Sequence, residues 1–375
     1  MRSSKRYDVI IIGGGLAGLT AALHLSQQGV KILLIEKYKY PHHKVCGEYI
    51  SNEVMPYLRS LGVDPFEKGA VEISKFEISS KEGRKVTTEL PLGGFGMSRY
   101  ALDLQLYELV QDQIDVEFAT AEYVSFQQNQ FTVYTTNKDA HHGNFVIGSF
   151  GKRSLLDTTL NRKFIQQKSP WLAVKAHYEA DFPKAVVALH NFDGGYCGLS
   201  HVETGAVNVC YLTSYRSFKR IGDIPAFQKE VMSQNPHLGT FLDNAQLLFE
   251  KPLTIGQISF EKKLPIVEHV FMLGDSAGLI HPLCGNGMAM AIHGAKLFSE
   301  LFLKAFAQEH FDREDLENAY QIKWEETFTG RLQTGRRIQG LLLHPTTAHL
   351  GLKMVQAFPS ILPKIIKRTH GELLL

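Results

Sequence analysis

Hydrophobic positions near the N-terminus form two short apolar runs separated by an amphipathic stretch. Residues 9–12 are all β-branched, which is typical of a parallel strand buried on both faces. Residues 16–27 repeat apolar positions with a helical period and stop at Gly29, and residues 30–35 form a second apolar strand that ends at Glu36. This pattern predicts a strand–helix–strand unit with parallel strands.

The rest of the chain continues to mix both periods, which predicts an α/β protein with more than one layer. Short strands are predicted within 71–92 and 115–149, and two more flank a turn at 203–205. Helices are predicted at 98–113, at 224–234, from 286 or 287 to 306, and through the tail 309–375, which Pro345, Pro359 and Pro363 are expected to break.

Composition narrows the class of protein. A chain of 375 residues exceeds one ordinary core, so two or three domains are expected. A net charge of +2 without a long basic run gives no indication of a nucleic-acid partner. No apolar run reaches the ~18 residues of a membrane span, and no signal peptide is recognised. The four cysteines have no paired spacing, which fits a reducing cytoplasm.

Three glycines follow the first strand in the spacing G-x-G-x-x-G. Gly13 permits the tight turn, Gly15 lets the backbone approach a pyrophosphate, and Gly18 lets the helix pack on the strand. The helix N-terminus then faces the phosphates, and Glu36 accepts a hydrogen bond from a ribose, which favours FAD or NAD over NADP. The dinucleotide-binding residues predicted here are Gly13, Gly15, Leu16, Ala17, Gly18, Glu36 and Lys37.

A second glycine-rich motif follows the strand at 270–273. Residues 274–278 match G-x-S-x-G, the nucleophile elbow of hydrolases, but that motif needs a helix directly after the serine. Pro282, Gly285 and Gly287 interrupt any helix there, so a hydrolase is disfavoured. A flavin site is the alternative: Asp275 can bind a polyol, and the later helix N-terminus stabilises negative charge on a flat ring.

Together the two motifs resemble those of FAD-dependent oxidoreductases with the p-hydroxybenzoate hydroxylase fold. The stretch "YPHHKVCGEYIS" is similar to a flavin-side element of geranylgeranyl reductases, and "SRYALDLQLYELV" to an R-x-x-L/F-D element of the family. The resemblance implies that Arg99 lies near the phosphate or ribityl region, that Asp275 binds the ribityl chain or pyrophosphate, and that residues 282–288 line the isoalloxazine. The remaining cofactor-binding residues that it implies are Lys44, Cys46, Gly47, Gly274, Pro282, Gly285, Asn286, Gly287 and Met288.

The same resemblance implies interleaved domains. A Rossmann-like FAD-binding domain of the glutathione-reductase type takes residues 1–70, 95–160 and 259–308. A mixed β-sheet substrate domain takes 71–94 and 161–258, and a helical C-terminal region takes 309–375.

Two departures from the family pattern limit the choice of reaction. Phe150 stands where many relatives carry an acid that serves FAD and NAD(P)H, which argues against direct handling of NAD(P)H. Because the sequence contains a single G-x-G-x-x-G, a nicotinamide is expected to dock transiently, or another electron carrier serves. Lys152 and Arg153 are either contacts for a reductant's phosphates or solvated surface charges. Residues 196–200 lack both the Y-x-W-x-F-P of geranylgeranyl reductases and the W-x-W-x-I-P of halogenases.

The favoured function is therefore a monooxygenase that acts on a lipophilic aromatic, quinone-like or polyene substrate. The alternative is a reductase of prenyl or polyene double bonds, for which Cys46, Glu48 or Tyr196 is the candidate proton donor. A dehydrogenase, a halogenase or a non-enzymatic flavin-binding protein stays open.

Two further segments carry a prediction. The cluster of histidine, cysteine and glutamate at 41–51 is interpreted as a wall of the flavin site, with no metal bound. The end of the tail, residues 358–375, mixes apolar and basic positions and is either a docked terminal helix or a contact with a membrane surface. The protein is therefore expected in the cytoplasm, with peripheral association with a membrane as the alternative.

Overall fold

The computed structural model describes residues 5–310, 312–343 and 345–375. Seventeen strands within them build two sheets. The strands are β1 (Arg6–Ile12), β2 (Ile32–Glu36), β3 (Tyr49–Ser51), β4 (Val71–Ser79), β5 (Lys85–Gly96), β6 (Asp115–Phe118), β7 (Ala121–Gln127), β8 (Gln130–Thr135), β9 (Ala140–Gly148), β10 (Trp171–Glu179), β11 (Val186–Phe192), β12 (Gly195–His201), β13 (Val207–Ser214), β14 (Gln246–Leu247), β15 (Leu253–Gly256), β16 (Ile266–Val267) and β17 (Val270–Met272).

Eleven α-helices occur in the same described ranges. They are α1 (Leu16–Ser26), α2 (Met55–Ser60), α3 (Arg99–Val110), α4 (Leu155–Thr159), α5 (Tyr215–Lys219), α6 (Ile224–Glu230), α7 (Pro236–Asn244), α8 (Gly287–Phe306), α9 (Arg313–Leu343), α10 (Pro345–Ala357) and α11 (Ile361–Thr369).

The first sheet is the predicted nucleotide-binding sheet. Its order is β16-β17-β9-β1-β2-β6, with β17, β9, β1, β2 and β6 parallel, and with β7 and β8 forming an antiparallel extension on β9. The apolar residues of β1 and β2 are buried on both faces, as their uninterrupted hydrophobic runs predicted. Helices α1 and α8 pack together, so both glycine-rich motifs lie at one edge of this sheet.

The second sheet is mixed and has the order β14-β10-β13-β12-β11-β4-β5-β3, with β15 added on β10. Strands β11, β12 and β13 form an antiparallel meander, β10 adds to it antiparallel to β13, and β11 runs parallel to β4. One boundary differs from the prediction: β3 lies within the segment 1–70 but pairs with β5 of this sheet, Tyr49 opposite Gly96. The loop before β3 therefore bridges the two sheets.

The tail is helical, with one difference from the sequence expectation. Pro345 begins α10 and Pro359 follows its end, as expected of helix-breaking residues. Pro363 instead lies in the first turn of α11, where a missing backbone N–H removes no intrahelical hydrogen bond. Within the described ranges, every helix is too short or too polar to cross a membrane.

Candidate active site

The turn between β1 and α1 can be built only with glycine at two positions. Gly13 has φ of +102°, and a Cβ there would meet the carbonyl group of Ser149. A Cβ on Gly18 would collide with the carbonyl oxygen of Gly13 and the hydroxyl of Ser149. The turn is thus pressed against the end of β9, and this close packing leaves the N-terminus of α1 open.

Two cations point into the space above that helix N-terminus. A Cβ on Gly15 would have as neighbours only Arg99 Nη2 at 3.5 Å and Lys44 Nζ at 4.0 Å. The first turn of α1 contains no acid and its N-cap makes no side-chain hydrogen bond, so its N–H groups are available. A dinucleotide's pyrophosphate fits this arrangement of cations and amide donors.

Asp103 orders the two cations. It accepts from Lys44 Nζ at 2.9 Å and from Arg99 Nε and Nη2 at 2.7 and 2.8 Å. Burial alone would raise the pKa of the Asp103 carboxyl, but Arg99 and Lys44 hold that pKa below its ordinary value. One carboxylate beside two cations leaves a net positive charge facing the helix N-terminus.

Glu36 ends β2 beside the same turn. Its carboxylate accepts from the backbone N–H of Gly14 at 2.6 Å and of Tyr38 at 3.0 Å, which fixes its orientation toward the glycine turn. Lys37 is exposed, and its ammonium lies over the ring of Tyr38 at 4.9 Å. These contacts fit Glu36 as the ribose ligand and leave the predicted role of Lys37 untested.

The second motif meets the first directly. Gly274, at φ of +60°, packs against Ala17, so the Asp275 loop lies next to the start of α1. Lys263 is buried and donates to the carbonyl oxygens of Asp275 at 2.8 Å and Lys152 at 3.1 Å. Burial lowers the pKa of the Lys263 ammonium to about 8.

Lys152 holds the loop 41–48 in place. Its ammonium donates to the carbonyl oxygen of Val45 at 3.1 Å, which is neither of the two alternatives drawn from the sequence. Arg153 next to it is exposed. Within loop 41–48, the carbonyl oxygens of Cys46 and Gly47 accept from Asn208 Nδ2 on β13, at 3.2 and 2.8 Å.

The loop 281–286 forms the other wall and leads into α8, which begins at Gly287 as predicted. Gly285 has φ of +64° and lies against the ring of Tyr49. Asn286 is fully buried and donates to the carbonyl oxygen of Thr369 at 2.8 Å, so α11 is tied to this wall. Pro282 is exposed, whereas Met288 is buried.

Glu48 is a buried structural carboxylate and not an available proton donor. It accepts from Lys175 Nζ at 2.9 Å, from His177 Nε2 at 2.6 Å and from the backbone N–H of Arg99 at 2.9 Å. Burial would raise the pKa of Glu48, but His177 and Lys175 lower it, so the carboxylate is ionised. These contacts favour a structural role for Glu48 over its predicted role as an acid.

The same cluster contains three side chains of the types that bind metals. Ligand atoms of His43, Glu48 and His177 lie within 4.8 Å of one another. The fully buried ammonium of Lys175 contacts the same carboxylate, which opposes a second cation there. The prediction of no metal at this loop is retained as a prediction.

Tyr196 lies at the junction of the second sheet and the loop 281–286, and its partner His281 was missed from the sequence. The Tyr196 hydroxyl is 3.1 Å from His281 Nδ1 and accepts from the backbone N–H of Leu283 at 3.1 Å. Both side chains are buried, and His281 Nε2 has no hydrogen-bond partner among the described residues. A buried histidine next to the P-x-x-G-x-G element was the available signal, but only the fold brings it to Tyr196.

The hydrogen-bond pattern selects one tautomer of His281. If Tyr196 donates to Nδ1, only the Nε2–H group is left without a partner. If Nδ1–H donates instead, both the Tyr196 proton and the Nε2 lone pair lack one. Burial lowers the pKa of His281 to about 3, so its ring is neutral and presents an unpaired Nε2–H donor.

Comparison with known proteins identifies the family. Residues 6–308 match the family described as an FAD binding domain, and the chain belongs to that family. It is an FAD-dependent oxidoreductase with the p-hydroxybenzoate hydroxylase-type fold, and solved FAD-dependent monooxygenases and halogenases share this fold.

Similar proteins differ in what they are reported to do. Conditioned medium factor receptor 1 of Dictyostelium discoideum is 22% identical over 86% of this chain and 68% of its own length. The digeranylgeranylglycerophospholipid reductase of Methanosarcina acetivorans is 23% identical over 86% of this chain and 81% of its own length. Among solved structures, the flavin-dependent brominase Bmp2 has a TM-score of 0.78 at 15% identity, covering 96% of this chain and 93% of its own. PqsL of Pseudomonas aeruginosa, a probable FAD-dependent monooxygenase, has a TM-score of 0.72 at 15% identity, covering 93% and 99%.

Proposed function

We propose that the protein is an FAD-dependent monooxygenase that inserts one oxygen atom of O₂ into a lipophilic aromatic, quinone-like or polyene substrate. Bound FAD supplies the electrons and the oxygen chemistry, and the second oxygen atom leaves as water. NAD(P)H, docking transiently, is the proposed source of the two electrons. Gly15, Arg99 and Lys44 would hold the pyrophosphate, and the wall 282–288 would lie along the flavin ring.

The observation that carries the proposal is that two of the three donors predicted for a reductase, Glu48 and Tyr196, are not ready acids. Lys175 and His177 donate to Glu48 and hold the pKa of its carboxyl below the ordinary value. Burial raises the pKa of the Tyr196 hydroxyl well above its ordinary value, so losing its proton would leave a costly buried anion. A monooxygenase needs no such side-chain acid, only a dry and shaped wall.

The wall beside Tyr196 supplies that shape. The ring of Phe260 is 4.2 Å from that of His281, and Trp171 lies edge-on to the same ring at 6.3 Å. We propose that the unpaired Nε2–H of His281 donates to an oxygen atom of the substrate and orients it among these aromatic rings. A carbonyl or phenolic oxygen on an otherwise apolar molecule matches this combination.

Reduction of a prenyl or polyene double bond is the second proposal. Cys46 supports it, because this half-buried thiol lies on the loop 41–48 between the two sheets. The Methanosarcina relative is a reductase and PqsL a probable monooxygenase, so similarity alone supports either chemistry.

Isotopically labelled O₂ separates the two proposals. The FAD-loaded protein is incubated with NADH or NADPH, with phenols, quinones and polyenes, and the products are analysed by mass spectrometry. We expect a product that carries one labelled oxygen atom. A product that has gained two hydrogen atoms and no label, and that disappears in Cys46→Ser, would support the reductase and exclude the monooxygenase.

The role of His281 is tested by His281→Phe, which keeps a ring and removes the donor. We expect a higher KM for oxygen-bearing substrates by about ten-fold or more, with FAD affinity unchanged, because a lost hydrogen bond to a buried donor costs about 1–3 kcal/mol. His293→Phe is the matched control, since His293 is also largely buried but lies on α8 against Phe328. Equal effects of both variants on KM would argue against a substrate contact at His281.

A further inference from the structure

The C-terminal region has a charge distribution that the net charge of the whole chain conceals. Between Glu326 and Glu372 the sequence contains no aspartate or glutamate. The arginine and lysine residues in this interval are Arg331, Arg336, Arg337, Lys353, Lys364, Lys367 and Arg368. An anionic surface would therefore meet no acidic side chain along this entire segment.

Helix α10 also carries an apolar stripe that faces outward. Leu350 and Met354 lie on one side of α10, and Phe358 follows directly after the helix ends at Ala357; their exposed fractions are 67%, 49% and 62%. Leu352 and Val355 on another side are buried against the protein. Packing of α10 onto the fold is thus provided by one face, and the exposed stripe is not needed for it.

Helix α11 follows α10 in the chain, carries exposed basic residues and packs firmly against the rest of the protein. Leu362 and Ile366 are buried, while Lys364, Lys367 and Arg368, at spacings of three and four, are exposed. The contacts that hold α11 and the residues after it are Asn286 to the carbonyl of Thr369, and Glu53 to the backbone N–H groups of Gly371 and Leu374. Arg331 on α9 contacts the same Glu53 at 3.1 Å. Because Asn286 belongs to the loop predicted to line the flavin, α11 is held next to the candidate active site.

We propose that α10 and α11 form a docking surface for an anionic lipid bilayer. The stripe of Leu350, Met354 and Phe358 enters the boundary between head groups and acyl chains, and the basic residues contact the anionic head groups. A second copy of the chain is the less favourable occupant, because a symmetric contact would bring two basic segments together. The surface would hold the candidate active site beside the phase in which a lipophilic substrate dissolves.

Co-sedimentation of the FAD-loaded protein with vesicles tests this surface without any turnover. We expect binding to vesicles of phosphatidylcholine with phosphatidylglycerol, little binding to phosphatidylcholine alone, and weaker binding as salt is raised. Each basic residue near an anionic bilayer strengthens binding by about five-fold, so Lys364→Glu, Lys367→Glu and Arg368→Glu together should weaken it by at least roughly 100-fold. Leu350→Ser, Met354→Ser and Phe358→Ser together should weaken it as well.

Two matched triple variants control for general charge and apolar surface. Lys184→Glu, Lys219→Glu and Lys229→Glu change exposed lysines of the substrate domain, and Leu155→Ser, Leu248→Ser and Leu264→Ser change equally exposed leucines elsewhere. We expect both to bind vesicles like the parent, and all variants to keep bound FAD. Three outcomes would each overturn the proposal: a parent protein that stays in the supernatant with anionic vesicles, a control that loses binding as strongly, or a stripe that proves to be a self-association surface because its variant converts an oligomer to a monomer.

Discussion

Glu48→Gln is the substitution whose effect on stability follows most directly from the structure. The side chains of Glu48 and Lys175 are fully buried and 2.9 Å apart. Glutamine keeps the size of the side chain but leaves the Lys175 ammonium buried without its counter-charge, since His177 beside it supplies no negative charge. Removing one partner of a buried ion pair costs about 3–5 kcal/mol, so we expect a loss of that size in the free energy of unfolding.

A double variant gives the sharper test. Glu48→Gln with Lys175→Met removes both charges, and we expect it to recover at least about half of the loss, because the unpaired charge and not the missing contact dominates the cost. Glu326→Gln is the control: its pair with Lys323 is more than half exposed, and we expect a change of at most about 0.5 kcal/mol. Urea unfolding of all variants at one FAD concentration provides the comparison.

The pH dependence of the same pair has a fixed sign. The pKa of Glu48 is lower in the folded protein than in the unfolded chain, so its contribution to stability is present above the unfolded pKa of about 4.3 and is lost as the pH falls through the folded value. The difference in unfolding free energy between parent and Glu48→Gln should therefore be constant from neutral pH to about pH 5 and shrink below it. A loss under about 1 kcal/mol, or a double variant no more stable than the single one, would refute this account of Glu48.

Three other predictions test the cofactor region. Arg99→Ala should weaken FAD binding by at least about ten-fold by titration, because it removes a buried cation above the N-terminus of α1, whereas Arg84→Ala on the exposed surface should not change it. Gly18→Ala should abolish FAD retention during purification because its Cβ has no space, while Gly330→Ala, which has open space around it, should not; equal retention would contradict the packing argument. Lys263 has a folded pKa of about 8, below its ordinary value of 10.5, so its buried charge opposes folding below pH 8 and that cost is relieved as the pH rises toward 10. In chemical unfolding experiments, the free energy of unfolding of Lys263→Met should therefore rise less over this interval than that of the parent, by up to about 3 kcal/mol.

Local patterns predicted the nucleotide-binding half of the fold with little error. The β-branched run of β1, the spacing of Gly13, Gly15 and Gly18 and the late start of α8 each follow from backbone requirements within a few residues. Family resemblance was needed to place Arg99, and the structure shows why: its guanidinium reaches the space above Gly15 from a helix over 80 residues further along the chain.

The parts that the sequence did not reveal depend on contacts between distant segments. Glu48 was a plausible acid from its neighbourhood in the chain, and only the folded sheet brings Lys175 and His177 to it. The position of His281 beside the P-x-x-G-x-G element did not reveal its role, because its partner Tyr196 belongs to the other sheet. The apolar and basic residues at the end of the tail were visible in the sequence, but the choice between a docked helix and a membrane contact stayed open, because the exposure of Leu350, Met354 and Phe358 depends on the fold.

The order of addition in a single turnover tests the central claim most directly. The FAD-loaded protein is reduced without O₂, mixed with a substrate identified in the labelled-oxygen screen, sampled, and then exposed to labelled O₂. A monooxygenase leaves the substrate unchanged until O₂ is added and then yields product with one labelled oxygen atom. Saturation of the substrate before O₂ is added would contradict the proposal.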